Sequence, residues 1–368
     1  MKSPVEVPPG YLEAMIAAFG LSDSAEQLRL QRFALGVVQD PDGGNRQPSP
    51  ALYRDDRYAG CWNARFDGEM EAEREGGGGK KKYIFKYVLK YILKYVFQEP
   101  GHIRGDFVIA AYDRKSDSLA LMRDPLGTRP LYYTEQSGYL AFATEMKALN
   151  AIPGISVGAD EQWLADAIST VKSEKWRTPY QGIRRLLPGH ILYADKEVHL
   201  EPYWDLKVRE EYENLTYGEA VEAFRFRLDQ SVRRCLHAAA VPAAELSGGL
   251  DSSGVTAWSF DVAREQEKPF YALTHAFSEA SLGRYFPYKD EREFSRKVCA
   301  HIGLSSQVMC DADGYGLLDM LRENIFRQSG PTQQGYSMFS DTLYDRGRER
   351  GVTHLLSGFG GDEGVTSK

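Results

Sequence analysis

The chain has 368 residues and a formal net charge of -7, because 52 Asp and Glu residues outnumber 45 Lys and Arg residues. Hydrophobic residues make up 42% and charged residues 26% of the chain, which is typical of globular proteins and excludes a disordered, collagen-like or coiled-coil chain. The length predicts two to three domains, and the acidic balance argues against a nucleic-acid partner.

The cysteines and the apolar runs indicate a cytoplasmic protein. Cys61, Cys235, Cys299 and Cys310 lie far apart and form no CxxC pair, which argues against a zinc ribbon or a disulfide framework. Residues 1–21 contain one lysine, three prolines and no long apolar block, so no signal peptide is expected. No apolar run approaches the ~18 residues that cross a bilayer.

The first half of the chain predicts a short extension followed by a β-rich domain. Residues 1–57 have no assigned role; apolar spacing predicts helices over 11–19 and 24–33, then a loop over 40–50. Residues 58–208 are taken as one domain, in which short β-rich segments predict an antiparallel meander. The expected strands are 107–112, 119–123, 131–133 and 139–143, with a closing hairpin of 190–193 and 197–200.

Residues 209–368 change to amphipathic helices that alternate with short apolar strands. This alternation predicts a parallel sheet in a separate domain, with a boundary near 205–212. A helix is expected over 216–235, and strands over 243–246, 271–274, 308–310 and 353–356.

A glycine-rich turn follows the first of these strands and precedes a predicted helix over 254–265. It reads Ser247, Gly248, Gly249, Leu250, Asp251, Ser252, Ser253. Glycines permit close backbone approach, hydroxyls donate hydrogen bonds and a helix N-terminus attracts anions, so the turn is a candidate phosphate site. It lacks the lysine of a Walker loop, and Asp251 would repel a phosphate unless a cation such as Mg²⁺ bridged them. The alternative is a simple turn in which Asp251 caps the helix.

A second glycine-rich turn follows the strand predicted at 353–356. It reads Ser357, Gly358, Phe359, Gly360, Gly361, Asp362, Glu363. Turns at the carboxyl ends of parallel strands face one crevice. Asp251 and Asp362 are therefore expected to share one Mg²⁺ and to hold an ATP triphosphate between the turns.

These two motifs together resemble the ATP-pyrophosphatase domain of the asparagine synthetase family. Segments 104–107, 123–133, 142–149 and 187–190 are similar to the family's glutaminase-type domain, so the resemblance covers about residue 58 to the end. It implies an Ntn-type αββα domain and a truncated, doubly wound parallel-sheet domain. It also implies a ligase that adenylates a carboxylate with ATP, releases pyrophosphate and lets an amine displace AMP. The nucleotide-binding residues assigned are Ser247, Gly248, Gly249, Asp251, Ser252, Ser253, Gly358, Gly360 and Gly361, and the metal ligands assigned are Asp251 and Asp362.

Two departures from the family pattern shape the functional hypothesis. Glutamine-hydrolysing members expose an N-terminal cysteine, whereas this sequence begins Met1, Lys2, Ser3, so the first domain is expected to be an inactive scaffold. The sequence also stops soon after Glu363, and family members carry a helical portion there that completes the substrate pocket. We therefore expect a fragment, a site completed by a partner protein, or partial chemistry, and an uncovered face on the strand bearing Leu355 and Leu356.

A third departure is a Lys-Tyr-apolar-apolar repeat at 80–97, preceded by four glycines at 76–79. The repeat is compatible with a helix or a strand. In a helix its lysines would form a slanted stripe, whereas its tyrosine content favours a strand. A packed helix with a solvated lysine edge is preferred to contact with a membrane surface.

Several polar residues near the strands receive structural assignments first. Asp290 and Glu291 are expected at a helix start, with adenylate contacts as an alternative, and His275 and His354 are expected to be core histidines. Residues 330–334 correspond to a loop that lines the acyl-substrate pocket in relatives.

The functional hypothesis is an ATP-dependent ligase that forms an amide with an amine already present in a small-molecule or peptide substrate. A macrolactam-forming cyclase acting on a precursor peptide, as in lasso peptide biosynthesis, is the preferred form. An asparagine synthetase that uses ammonia or glutamine is the alternative of the same class, and a catalytically silent interaction protein is the alternative of another class.

Overall fold

The computed structural model describes residues 14–15, 17, 25–29, 34–38, 51–66, 95–103, 105–136, 139–155, 158–169, 171, 174–195, 197–237, 239–277, 290–312, 314–331, 337–362 and 364. The chain divides into two compact units. The first comprises Met1–Lys207 and Ile325–Gln333, and the second comprises Val208–Asn324 and Gln334–Lys368.

The first unit is built on antiparallel strands. Its strands are β1 (Ala25–Arg29), β2 (Ala34–Val38), β3 (Ala51–Arg54), β4 (Tyr58–Phe66), β5 (Gly105–Asp113), β6 (Ser118–Arg123), β7 (Tyr132–Gln136), β8 (Tyr139–Ala143), β9 (Ile183–Arg185), β10 (His190–Ala194) and β11 (Val198–Pro202). One sheet has the order β11-β10-β6-β5-β4-β3, another the order β8-β7-β9, and β1 pairs with β2. The helices described here are α1 (Met146–Asn150) and α2 (Glu161–Ile168).

The larger sheet is buried on both faces, which β5 shows directly. Phe107 and Ile109 point into a core closed by Val96 and Ile103. Val108, on the opposite face of the same strand, packs with residues of β7 and the segment after β9. On the far side of the smaller sheet, α1 packs its own cluster against β8 and β9. The layers are therefore helix, sheet, sheet and helix, as the resemblance implied.

Two expectations for this unit are wrong. Residues 24–33, expected as a helix, contain β1, because pairing with the β-branched strand β2 satisfies its backbone and overrides helical apolar spacing. The strands also do not form one continuous meander. β6 has β5 on one edge and β10 on the other, so β7 pairs in the other sheet with β8 and β9. The closing hairpin, β10 with β11, is confirmed.

Most of the Lys-Tyr repeat lies outside the described residues, since only its end, from Tyr95, is included. That end is helical, and Val96 is fully buried in the core of the larger sheet, with Tyr95 and Phe97 packed beside it. The end of the repeat is therefore a packed helical segment, and the rest of the prediction for 80–97 concerns residues outside the described part of the chain. In the part of the chain that the structure describes, no helix is long and apolar enough to cross a membrane.

The second unit is a parallel sheet covered by helices. Its elements are α3 (Glu210–Glu213), α4 (Tyr217–His237), β12 (Pro242–Glu245), α5 (Leu250–Glu265), β13 (Tyr271–His275), α6 (Arg292–Ile302), β14 (Gln307–Cys310), α7 (Leu317–Gln328), α8 (Ser337–Arg348) and β15 (His354–Leu356). The strand order is β14-β13-β12-β15, and all three pairings are parallel.

Helices cover both faces of this sheet, which makes it doubly wound. Alternate residues face opposite cores because side chains alternate along a strand. Ala244 and Ala272 pack against α4, α5 and α6, whereas Ala243 and Leu273 pack against Leu343 of α8. Leu355 joins one of these cores and Leu356 the other. Leu355 and Leu356 are both only partly buried, so the expectation of an uncovered face on β15 stays a prediction.

Candidate functional site

The first glycine loop, residues 246–249, joins β12 to α5 and is held by serine hydroxyls. Ser252 Oγ lies 2.9 Å from Ser247 Oγ and accepts a hydrogen bond from the backbone N–H of Ser247 at 3.2 Å. The N-cap of α5 is Gly249, in an extended conformation and without a side-chain capping bond. Asp251 is therefore not the cap, which removes the simple structural alternative for this loop. Among the described residues no side chain caps the first turn of α5, which leaves its N–H groups available to a phosphate.

Gly248 is required in this loop for two reasons. Its φ of +88° is in the left-handed region that side chains disfavour. A Cβ at this position would also lie 2.9 Å from backbone atoms of Phe294 and Ser295 in α6. The loop consequently packs backbone to backbone on α6 and leaves the start of α5 open.

The second glycine loop, residues 357–361, follows β15 and contacts the start of α5. A Cβ on Gly358 would lie 2.8 Å from the backbone nitrogen of Ser252, and a Cβ on Gly361 would lie 2.6 Å from Asp251 Oδ1. Gly360 has a φ of +89°. The structure thus brings the two predicted loops together, and it brings Asp251 against the residue that precedes Asp362.

This arrangement fits a nucleotide with a bridging cation. Ser253 Oγ is buried and has no hydrogen-bond partner among the described residues, so a ligand oxygen would satisfy it. Asp251 lies against Gly361, and Asp362 follows Gly361 in the chain. Within the described ranges no three His, Cys, Asp or Glu side chains form a metal-binding group. A cation here would therefore take its remaining ligands from phosphate oxygens or water, as Mg²⁺ commonly does.

A half-buried carboxylate, Glu245, lies beside the loops and was not singled out from the sequence. Ser357 Oγ donates a hydrogen bond to Glu245 Oε2 at 3.0 Å. Burial raises the pKa of Glu291 and of Tyr344, and Glu245 raises both further. Burial lowers the pKa of His275, an effect that Glu245 opposes. The signal in the sequence was a glutamate between the apolar residues of a short buried strand.

The other polar residues considered from the sequence have mainly structural contacts. Asp290 accepts hydrogen bonds from the backbone N–H groups of Arg292 at 2.8 Å and Phe277 at 3.2 Å, at the start of α6. His354 Nδ1 lies 3.2 Å from Thr353 Oγ1. Gly330 packs on Tyr180, whose hydroxyl donates to the carbonyl of Ser329 at 2.8 Å.

The first unit contains a second polar loop, residues 123–129, in one of the segments that resemble the glutaminase-type domain. Arg123 is 6% exposed, and burial lowers its pKa. Its guanidinium donates to the carbonyls of Arg129 at 2.6 Å, Leu186 at 2.7 Å and Gly127 at 2.6 Å. The Asp124 carboxylate accepts from the N–H groups of Leu126 at 3.2 Å, Thr128 at 2.9 Å and Arg129 at 3.1 Å. These bonds stay within the loop and its neighbours, so they stabilise the fold.

Cys61 is the cysteine within residues 58–208, which makes it the candidate for a substitute glutaminase nucleophile, but it is not suited to that role. It packs against the core between the sheets, and burial raises its thiol pKa to about 12. A thiol with so high a pKa is protonated and unreactive at neutral pH.

Two family models match the chain. The model described as a glutamine amidotransferase domain matches residues 88–204, and the model described as asparagine synthase matches residues 223–366. The second match contains both glycine loops.

The chain is also similar to curated relatives and to solved structures. The amidase chyE of Penicillium rubens is 27% identical over 280 residues, which are 71% of this chain and 39% of the relative. Asparagine synthetase [glutamine-hydrolyzing] 3 of Bacillus subtilis is 29% identical over 251 residues, which are 66% of this chain and 39% of the relative. The chain therefore spans about two fifths of the length of these relatives. A solved structure of the allosteric regulatory enzyme of purine biosynthesis is 15% identical to this chain, with a TM-score of 0.30. The match covers 88% of this chain and 75% of that structure's chain.

Proposed function

We propose that this chain, a member of the asparagine synthetase family, supplies the nucleotide site of an ATP-dependent ligase that joins a carboxylate to an amine. The observation that carries the proposal is the contact between the two glycine loops, where Gly358 and Gly361 leave room for Ser252 and Asp251. Two separate parts of the sequence thus build one cradle at the carboxyl edge of a parallel sheet, where such sheets bind ligands.

In the proposed reaction a carboxylate oxygen attacks the α-phosphorus of ATP, and the bond to the leaving pyrophosphate breaks. An amine then attacks the acyl carbon, loses a proton and expels AMP, so that an amide forms. The uncapped N–H groups of α5, with Ser247 and Ser253, bind the phosphates. Asp251 and Asp362 would hold Mg²⁺, which supplies charge neutralisation on the phosphates when it is bound.

We further propose that the amine belongs to the substrate itself, as in a macrolactam-forming cyclase that acts on a precursor peptide in the cytoplasm. Support comes from Cys61, whose raised pKa removes the one cysteine weighed as a substitute glutaminase nucleophile. The alternative reaction is the formation of asparagine from aspartate, which the name of the Bacillus subtilis relative favours. Release of AMP and amide from aspartate with ammonia, by the protein with whatever partner it requires, would decide for the rival.

The nucleotide site is tested by calorimetric titration of ATP with Asp251→Asn. Loss of the carboxylate should weaken ATP binding about tenfold to 100-fold in saturating Mg²⁺, and by much less in EDTA, because the bridging cation is what the carboxylate holds. Asp261→Asn makes the same change on the exposed side of α5, where the side chain pairs with Arg264 at 2.9 Å, and should bind ATP like the wild type. Equal affinity of wild type and Asp251→Asn at saturating Mg²⁺ would show that the site is wrongly assigned.

A further inference from the structure

Glu245 lies beside the glycine loops of the proposed nucleotide site, but its carboxylate is not a group that binds phosphate. It is the last residue of β12, and its neighbours Ala244 and Leu246 are both fully buried. Its carboxylate is half-buried and accepts the Ser357 hydroxyl at 3.0 Å, so it is held against the first residue of the second glycine loop. A carboxylate is thereby fixed beside the second glycine loop, in addition to Asp251 and Asp362, the proposed metal ligands.

The strand register places His275 on the same side of the sheet as Glu245. Glu245 pairs with Leu273 of β13, and His275 follows two residues later, so the two side chains project from one face. This is the face that α8 covers, since Leu273 packs with Leu343. Tyr344, the next residue of α8, is 54% exposed, and Glu245 raises its pKa together with burial. A carboxylate and an imidazole therefore share one face of the sheet, and the Tyr344 phenol lies within the electrostatic influence of that carboxylate.

The charges divide the proposed nucleotide site into two ends. The N-terminus of α5 attracts phosphate, whereas the Glu245 carboxylate repels it. An ionised carboxylate can only accept hydrogen bonds, so the part of a ligand that lies beside it must carry donors and no negative charge. In a nucleotide those donors are the exocyclic amino group of the base and the hydroxyls of the ribose.

We propose that Glu245 and His275 form the nucleoside-recognition end of this nucleotide site, with Glu245 accepting a hydrogen bond from a base or ribose donor. This inference rests on the proposed nucleotide site and adds to it the residues that select the nucleoside. Tyr344 supplies an aromatic face beside the same carboxylate. His275 presents one donor and one acceptor nitrogen as a neutral ring, which suits a base edge.

The test compares ATP with inorganic tripolyphosphate, which has the phosphates and no nucleoside, by calorimetry in saturating Mg²⁺. Glu245→Leu should weaken ATP about tenfold, the scale of one hydrogen bond to a charged group, and should leave tripolyphosphate binding unchanged or tighter. His275→Leu should also weaken ATP binding and not tripolyphosphate binding, but the loss of ATP affinity should be smaller. Glu222→Leu, on an exposed part of α4, makes the same change as the first variant and should alter neither affinity.

Three ATP analogues identify the donor: purine riboside triphosphate, which lacks the 6-amino group, and the 2′-deoxy and 3′-deoxy forms of ATP. At least one should bind the wild type about tenfold more weakly than ATP, and Glu245→Leu should abolish that difference. Equal losses of ATP and tripolyphosphate in Glu245→Leu would show that the residue only positions the loop, and unchanged ATP affinity would also overturn the inference. If the wild type binds neither ATP nor tripolyphosphate, the proposed nucleotide site fails first. Tripolyphosphate binding with no nucleoside selectivity overturns the inference alone.

Discussion

The polar loop at 123–129 and the glycine loops at 246–249 and 357–361 use their hydrogen-bonding groups differently. In the first, Arg123 donates to three backbone carbonyls and Asp124 accepts three backbone N–H groups. In the glycine loops, the helix start has no side-chain cap and Ser253 Oγ has no partner among the described residues. A motif rich in charged residues is thus closed on itself, whereas a motif rich in glycine and serine is open to a ligand. Motif resemblance does not distinguish these cases, but hydrogen-bond accounting does.

The largest expected effect comes from Arg123→Met in the polar loop at 123–129, called the closed loop below because its hydrogen bonds stay within the loop and its neighbours. Three carbonyls, one in a buried and two in partly buried hydrogen bonds, lose their donors. Each unsatisfied buried group costs ~1–3 kcal/mol, so the free energy of unfolding should fall by about 3–5 kcal/mol. Urea unfolding followed by tryptophan fluorescence measures it. Arg54→Met, at an exposed position of β3, should change stability by less than about 0.5 kcal/mol. A loss below about 1 kcal/mol for Arg123→Met would mean that the loop is not closed in solution.

The next largest effect concerns the backbone of the first glycine loop, residues 246–249, called the open loop below. Gly248→Ala should lower the free energy of unfolding by about 2–3 kcal/mol, because the left-handed conformation costs ~1–2 kcal/mol and the new Cβ meets the backbone of α6. Gly254→Ala, in α5, meets nothing within 4 Å and should raise stability by about 0.5–1 kcal/mol. Opposite signs for the two variants in one denaturation series are the expected outcome. Equal signs would contradict the loop geometry.

A smaller effect separates ligand binding from stability in the open loop. Ser253→Ala removes a buried hydroxyl without a partner, so the free protein should be unchanged or up to about 1 kcal/mol more stable, while ATP affinity falls threefold to tenfold. Ser259→Ala removes another such hydroxyl further along α5 and should leave ATP affinity unchanged. A loss of stability in Ser253→Ala would indicate a structural bond, as in the closed loop.

The smallest expected effect is a pH dependence at His275. Burial lowers its pKa below the ordinary value of 6.5, so the folded state binds fewer protons than the unfolded state. The stabilisation is fully present above pH 6.5 and is lost as the pH falls towards the folded pKa. The fall in unfolding free energy between about pH 7.5 and about pH 5.5 should therefore be smaller in His275→Asn than in wild type. Identical pH profiles would show that the histidine is solvated in the folded protein.

Much of the second unit could be predicted from its sequence. Short apolar strands between amphipathic helices indicated the parallel sheet, and the two glycine turns indicated a candidate site at its carboxyl edge, because local patterning and turn chemistry act over a few residues. The same reasoning failed at residues 24–33, where hairpin pairing with the next strand along the chain outweighs the helical spacing. It also failed for the order of strands around β6, since edges are filled by segments far apart in sequence.

The amino-acid sequence by itself determined the composition of the proposed nucleotide site: two glycine turns, their serines, and the carboxylates Asp251 and Asp362. Only the tertiary structure decided that Gly361 lies against Asp251, that Gly249 and not Asp251 caps α5, and that Glu245 accepts a hydrogen bond from Ser357 of the second turn. The physical reason is range. Turn conformation depends on neighbours along the chain, whereas the contact of two loops more than 100 residues apart depends on the register of β12 with β15 and on the helices that pack the sheet.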